Sequence, residues 1–444
     1  MNSFRPLPLS FAFALAVGAF LAGPAHAQNL QQVYDLARAY DSSFQSVQAQ
    51  YAAAVSRAEQ ARAGLLPSAG LTAGVSRANN ENTNPAVTRN VTTQNMGISA
   101  SQPLYRPANR ITFEQGQRGI AIAQSQLDAA AQDLTVRVSQ AYFDTLAAQD
   151  TLTVVRAQKS AVAEQLASAK RNFEVGTSTI TDAREAQARY DLVTAQEIAA
   201  ENDLQVKKLT LDQLVGQSGI QPRPLALPVT LPSVLPTNVG AWVDQSEAHQ
   251  PQIQQAMLAL DVARLETRKA ETGHLPTVDL TASYGKARYP DGTATSLPPT
   301  RTNNASVGVA LNLPLFAGFA TQNRIRETLS LEQKAEADLQ TVRRNVAQAV
   351  RASYFGIVSA TGQTKALEAA EASSQSALDA NRLGYQVGVR INIDVLNAQS
   401  QLFQTKRDLA LARYNVLVGN LKLRQAAGVL TPQDLQTVNA LLVP

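Results

Sequence analysis

Two hydrophobic periods alternate along this chain, and both return in its second half. Leu71, Ala73 and Val75 alternate with Thr72, Gly74 and Ser76, while Met96, Ile98 and Ala100 alternate with Gly97, Ser99 and Ser101. Later, Val278, Leu280, Ala282 and Tyr284 alternate with Asp279, Thr281 and Ser283, and Val307, Val309, Leu311 and Leu313 with Ser306, Gly308, Ala310 and Asn312. A period of two predicts four strands, at about 68–79, 93–103, 276–288 and 303–314, each with one apolar and one polar face. Prolines bracket each pair, Pro67 with Pro103 and Pro276 with Pro314, where pairing should begin or stop. The segments between the strands (79–90 and 289–304) are polar and rich in Asn, Thr and Pro, which reads as exposed hairpin loops.

Elsewhere the period is helical. From about Arg106 to Arg171 no proline follows Pro107, and Ile120, Leu127 and Leu134 repeat at sevens beside Ala131 and Val138. Leu339, Val346 and Val350 keep that register in the second half. At 1.5 Å per residue such a helix is on the order of 100 Å long, more than an ordinary globular domain accommodates. Returning helices are expected from about Thr181 to Leu214 and from Ile393 to Ala427. The stretches before the strand pairs, at about Leu30–Ala63 and Val239–Glu271, are also expected to be helical. Their faces are dominated by Ala and small polar residues, which let helices lie close together.

The recurrence is a duplication. Tyr142-Phe143 falls on Tyr354-Phe355, Val175-Gly176 on Val387-Gly388, Asp182 on Asp394 and Ala186-Gln187 on Ala398-Gln399, all at one offset of 212 residues, from 142 to 354. Two copies of one supersecondary unit are therefore expected at 28–218 and 238–428, joined by a proline-rich extended connector at 219–237 and followed by a C-terminal segment at 429–444.

Residues 1–27 have the order of a secretory signal peptide: Arg5, an apolar run from Leu9 to Leu21, then Ala25-His26-Ala27 before Gln28. Its removal takes away Arg5 alone and leaves 38 basic against 35 acidic residues, a net charge of +3. That balance gives no argument for nucleic acid as a partner. With 0 Cys there is no disulfide framework, thiolate site or lipid-accepting cysteine. His249 and His274 lie in different segments, and Gly285-Lys286 lacks the upstream glycine of a phosphate loop. No cofactor, metal site or nucleophile is expected, and the chain does not read as an enzyme.

Four amphipathic strands cannot close on themselves, and open edges are not tolerated in lipid, so the strands must join a barrel shared between copies. GHLPTVDLTAS at 273–283, FEVGTSTITDAREAQARYD at 173–191 and YQVGVRINIDVLNAQ at 385–399 carry a resemblance to the TolC-type outer-membrane channel proteins of Gram-negative bacteria. These strings are closer to that type than to its lipoprotein relatives, and the likeness covers essentially all of the mature chain. It implies an α+β membrane protein in which the duplicated unit of long antiparallel helices and a two-strand hairpin assembles as a homotrimer. That assembly has a twelve-strand barrel in outer-membrane lipid, continuous with an α-helical periplasmic tunnel. It works with a periplasmic adaptor and an inner-membrane transporter.

The resemblance also assigns residues. The turns Val175-Gly176-Thr177 and Val387-Gly388-Val389 match the periplasmic tips against which the adaptor docks, and glycine gives such a reversal its backbone freedom. Thr181, Asp182, Tyr385 and Arg390 match the positions that hold the tunnel entrance closed. Asp394 matches the first of two aspartates ringing the constriction, and the second position is Asn397 here, which should weaken cation selectivity. A stand-alone diffusion porin needs neither the long helices nor a matched gate. A periplasmic coiled coil leaves the four bracketed strands unexplained.

Overall fold

The computed structural model describes residues 28–84, 86–226, 228–293 and 298–443, so the expected signal peptide lies outside the described residues. In chain order it contains α1 (Leu30–Tyr40), α2 (Ser42–Ala63), β1 (Ser68–Thr83), β2 (Ala86–Tyr105), α3 (Pro107–Glu174), α4 (Ile180–Val215), α5 (Val239–His249), α6 (Pro251–Glu271), β3 (Thr277–Tyr289), β4 (Thr300–Asn312), α7 (Ala320–Gln386), α8 (Asn392–Ala426) and α9 (Asp434–Asn439). The order α-α-β-β-α-α occurs twice.

α3 and α7 run unbroken for 68 and 67 residues, about 100 Å each. Over the half nearer the strands α3 packs against α2 and α6, and α6 against α7. Over the other half α3 packs against α4 and α8, and α8 against α7. The seam residues Leu134, Leu339, Val346 and Val350 are all buried in these contacts.

The stretches at 30–63 and 239–271 are helical, each as two helices with one break. The first breaks at Asp41, whose carboxylate accepts from the Phe44 amide at 2.6 Å as the N-cap of α2 and pairs with Arg137 at 2.9 Å. The second breaks at Gln250, because a residue preceding proline is excluded from the helical ψ, and Pro251 then opens α6 as its first residue. The Gln250 side-chain amide donates to the Gln425 and Ala426 carbonyls at 3.1 and 2.9 Å, capping the end of α8.

At mid-length the two copies share a belt. Tyr34, Leu134, Tyr142, Phe143, Leu211, Leu417 and Leu435 form its largest core, and Trp242, Ile253, Val350 and Ile357 form the corresponding core of the second copy. The connector lies in this belt with Ile220 buried, bridged to Gln28 at Pro222 and to Leu442 at Leu225. The Tyr142 hydroxyl accepts from the Arg223 amide at 2.7 Å and donates to the Gln28 carbonyl at 3.0 Å. Its counterpart Tyr354 donates to the Thr237 carbonyl at the other end of the connector.

The four strands form one antiparallel sheet in the order β1-β2-β3-β4. Its register stacks Leu71, Ile98, Tyr284 and Ala305 in one row and Ala100, Ala282 and Val307 in the next. These residues share a face that no other part of the chain covers: Leu71 is 63% exposed and Val307 78%. The opposite face carries Gly70, Ser99, Ser283 and Ser306 in register, small and uncharged. β1 begins directly after Pro67 and β3 after Pro276, whereas β2 runs past Pro103 to Tyr105 with a register shift there, since proline has no N–H to give the ladder.

The first expected loop is largely strand: Asn79 pairs with Asn90, Asn80 with Arg89 and Glu81 with Thr88. Polar residues on both faces of a ribbon in water do not disfavour pairing, and Arg89 ties the ribbon to the other hairpin by donating to the Thr293 carbonyl at 3.1 Å. β4 likewise begins at Thr300 rather than 303 and ends at Asn312.

Candidate functional site

At the end of the molecule opposite the sheet, each long helix reverses through the same turn. The Thr177 amide donates to the Asn172 carbonyl at 2.8 Å, and the Val389 amide to the Gly384 carbonyl at 2.8 Å. Gly176 and Gly388 hold φ of 80° and 78°, a left-handed conformation that costs glycine nothing and disfavours other residues. Val175, Val387 and Val389 stand exposed around these turns.

The two turns enter their return helices differently. Thr179 caps α4 in a reciprocal box: its hydroxyl accepts from the Asp182 amide at 3.3 Å, and the Asp182 carboxylate accepts from the Thr179 amide at 3.0 Å. The same carboxylate oxygen accepts from the Ser178 and Thr179 hydroxyls at 2.6 and 2.9 Å. The Ser178 hydroxyl, outweighing burial, and then the Thr179 groups hold the Asp182 carboxyl below its ordinary range. Thr181 is exposed in the same first turn. Ile391, at the equivalent place before α8, has no side-chain cap.

Of the residues expected at the gate, Tyr385 reaches the neighbouring hairpin, its hydroxyl accepting from the Asn172 side-chain Nδ2 at 3.4 Å. Arg390, in the turn before α8, reaches Asp394 in the first turn of that helix at 3.6 Å. Within one chain, therefore, the Asp182 carboxylate engages its own turn, and Arg390 engages Asp394. Asn397, at the position that the resemblance matches to a second aspartate, accepts from Arg189 of α4 at 3.0 Å, which places a guanidinium beside it.

Four further residues join the hairpins near the tips. Asn172 and Gln165 of α3 bond Tyr385 and Asn392 respectively, Arg189 bonds Asn397, and Asn392 also donates to the Asp182 carbonyl at 3.4 Å. None stands out in the sequence by period or composition. The one available signal is a mismatch inside the duplication: the 212-residue offset sets Asn392 opposite Ile180, an amide against an apolar side chain. Among the described residues no cluster of His, Cys, Asp or Glu is suited to hold a metal ion, and no helix is long and apolar enough to cross a membrane.

The duplicated hairpins and the sheet have their counterpart in a known family. The profile of the outer membrane efflux proteins matches residues 33–217 and 242–429, one stretch in each copy. The chain belongs to the outer membrane efflux protein family. The outer membrane protein TolC of Vibrio cholerae serotype O1 is 34% identical over 434 residues, 98% of either chain. The alkaline protease secretion protein AprF of Pseudomonas aeruginosa is 32% identical over 345 residues, covering 77% of this chain and 71% of AprF. A crystal structure of CusC, at 19% identity, superposes with a TM-score of 0.78 over 96% of this chain and 99% of that one, which shows the fold. Membership of this family sets the outer membrane as the location and transport as the class of activity, and the resemblance read from the tip and strand motifs stands.

Proposed function

We propose that three copies of this chain close a twelve-strand barrel and a helical periplasmic tunnel, forming the passive, gated exit duct of an efflux pump or type I secretion system. The observation that carries this reading is the sheet. It has four strands, two unpaired edges at β1 and β4, and an apolar face left uncovered by its own chain. Such a sheet is untenable alone in lipid or in water, and edge pairing between copies satisfies its backbone while lipid takes its apolar face. Three times four strands lies within the range of known barrels.

The flanks of the helical wall agree. Ile198, Val206 and Leu209 on α4 and Phe355 and Val358 on α7 are exposed apolar residues on the two outer helices, as a ring of copies requires. The exposed valine turns at the tips would meet a periplasmic adaptor, and an inner-membrane transporter would supply the energy. Relatives named for efflux and for protease secretion support either cargo.

Planar-bilayer conductance tests this reading, with wild-type protein beside the double variant Tyr385→Phe, Arg390→Ser. A small resting conductance that rises in the variant is expected of a gated duct. A large wild-type conductance indifferent to both changes would favour a stand-alone porin and overturn the gate.

A further inference from the structure

Asn392 is the first residue of α8, yet its side chain serves other elements. It is 1% exposed, its Oδ1 accepts from the Gln165 side-chain amide of α3, and its Nδ2 donates to the Asp182 carbonyl of α4 at 3.4 Å. One buried amide thus joins three helices and both repeats. Just below it Leu166, Ala169, Ala186 and Leu396 pack in a layer small enough to bring α3, α4 and α8 together.

The duplication supplies the contrast. At the equivalent place in the first copy stands Ile180, 48% exposed, and there the turn is closed by its own capping box of Thr179 and Asp182. The second copy has Ile391 at the cap and no side-chain cap at all. The start of α4 is therefore self-contained, whereas the start of α8 is secured by a bond to the opposite hairpin. Moving α7 and α8 away from α3 and α4 leaves a buried amide without partners, whereas displacing the Arg390–Asp394 pair exchanges one solvated contact for another.

We propose that Asn392, held by Gln165, is the latch that keeps the α7/α8 hairpin closed on α3/α4, and that the charged residues around it are secondary to this uncharged bond. Asn392 is in this sense a positioning residue of the gate, and the inference rests on the gated-duct reading above. Because the bond is between neutral amides, its contribution survives salt concentrations that screen ion pairs to a few ångströms.

The test uses the full-length assembly in planar bilayers, with wild type, Asn392→Ala, Gln165→Ala and the Tyr385→Phe, Arg390→Ser double variant measured at low salt and at about 1 M salt. Loss of one such bond shifts the closed-to-open ratio about fivefold, so each amide variant is expected to raise resting conductance several-fold at both salt levels. Thermal unfolding of the assembly should stay close to wild type. Gln165 is only partly buried, so its variant reports on the latch even where Asn392→Ala disturbs folding. If the double variant opens the channel and both amide variants leave it closed, the latch is refuted and the gate stands. If no variant changes the conductance, or the wild type is already wide open, the gated reading falls and the latch with it.

Discussion

Tyr414 donates its phenolic hydrogen to the Asp150 carboxylate at 2.6 Å, joining α8 to α3 across the two repeats beneath the Phe143 ring. Burial pushes the Asp150 carboxyl up from its ordinary value, and the Tyr414 bond pulls it back only in part. An acid whose folded value is raised holds its proton more tightly folded than unfolded. Its contribution to stability is thus present at low pH and is lost as the pH rises through the raised value. Asp150→Asn keeps an acceptor for Tyr414 and should be at least as stable as wild type at neutral pH, with less gain on mild acidification. Tyr414→Phe should cost about 1.5 kcal/mol, the low end for a bond to a charged group at a half-buried site. Urea unfolding followed by far-ultraviolet circular dichroism at two pH values checks both.

Asp41 caps α2 and meets Arg137 in one stroke, so its removal should be felt twice. Asp41→Ala is expected to destabilise the belt by about 2 kcal/mol, the upper end for a lost N-cap, while Asp41→Ser keeps the cap and loses only the ion pair. Burial raises the Asp41 carboxyl, but the Arg137 hydrogen bond, the Phe44 amide and the Arg137 charge outweigh it and leave it below 3.8. The stability it lends is accordingly present above pH 3.8 and lost as the pH falls through the lowered value. Thermal unfolding of the two variants at neutral pH, compared with wild type, gives the order directly.

Asn397 sits where the resemblance expects a second ring of carboxylates, and Arg189 stands 3.0 Å from it. Asn397→Asp should increase cation preference, though less than a free carboxylate would, because the guanidinium offsets part of the new charge. Asp394→Asn should move selectivity toward anions. The reversal potential of the reconstituted channel in a potassium chloride gradient reads both, with opposite signs expected for the two variants.

Much of the architecture is legible in the chain because it is periodic. Leu71 to Val75 and Val307 to Leu313 alternate strictly since one face meets something apolar, and Leu339 to Val350 keep the helical seam since one stripe is buried. Where the pattern has no buried face to report, composition misleads. The ribbon at 79–90 is polar on both sides and reads as loop, although its backbone pairs through Asn79, Asn80 and Glu81. The helix breaks at Asp41 and Gln250 depend on a cap and on a proline against a carbonyl partner far along the chain. At the tips the resemblance points to Tyr385, Asp182 and Arg390. Their actual partners Asn172, Ser178 and Asp394, and the Gln165–Asn392 bond, follow from rotamers and from contacts spanning more than 200 residues in two cases, which no local pattern encodes.

The central claim is that a sheet with free edges at β1 and β4 closes only by assembly, and the mass of the detergent-purified, membrane-extracted protein tests it most directly. Native mass spectrometry should give a species of three chains, with no folded single chain. A folded monomer, or any other number of chains, would contradict the trimeric barrel from which the duct and its gate are built.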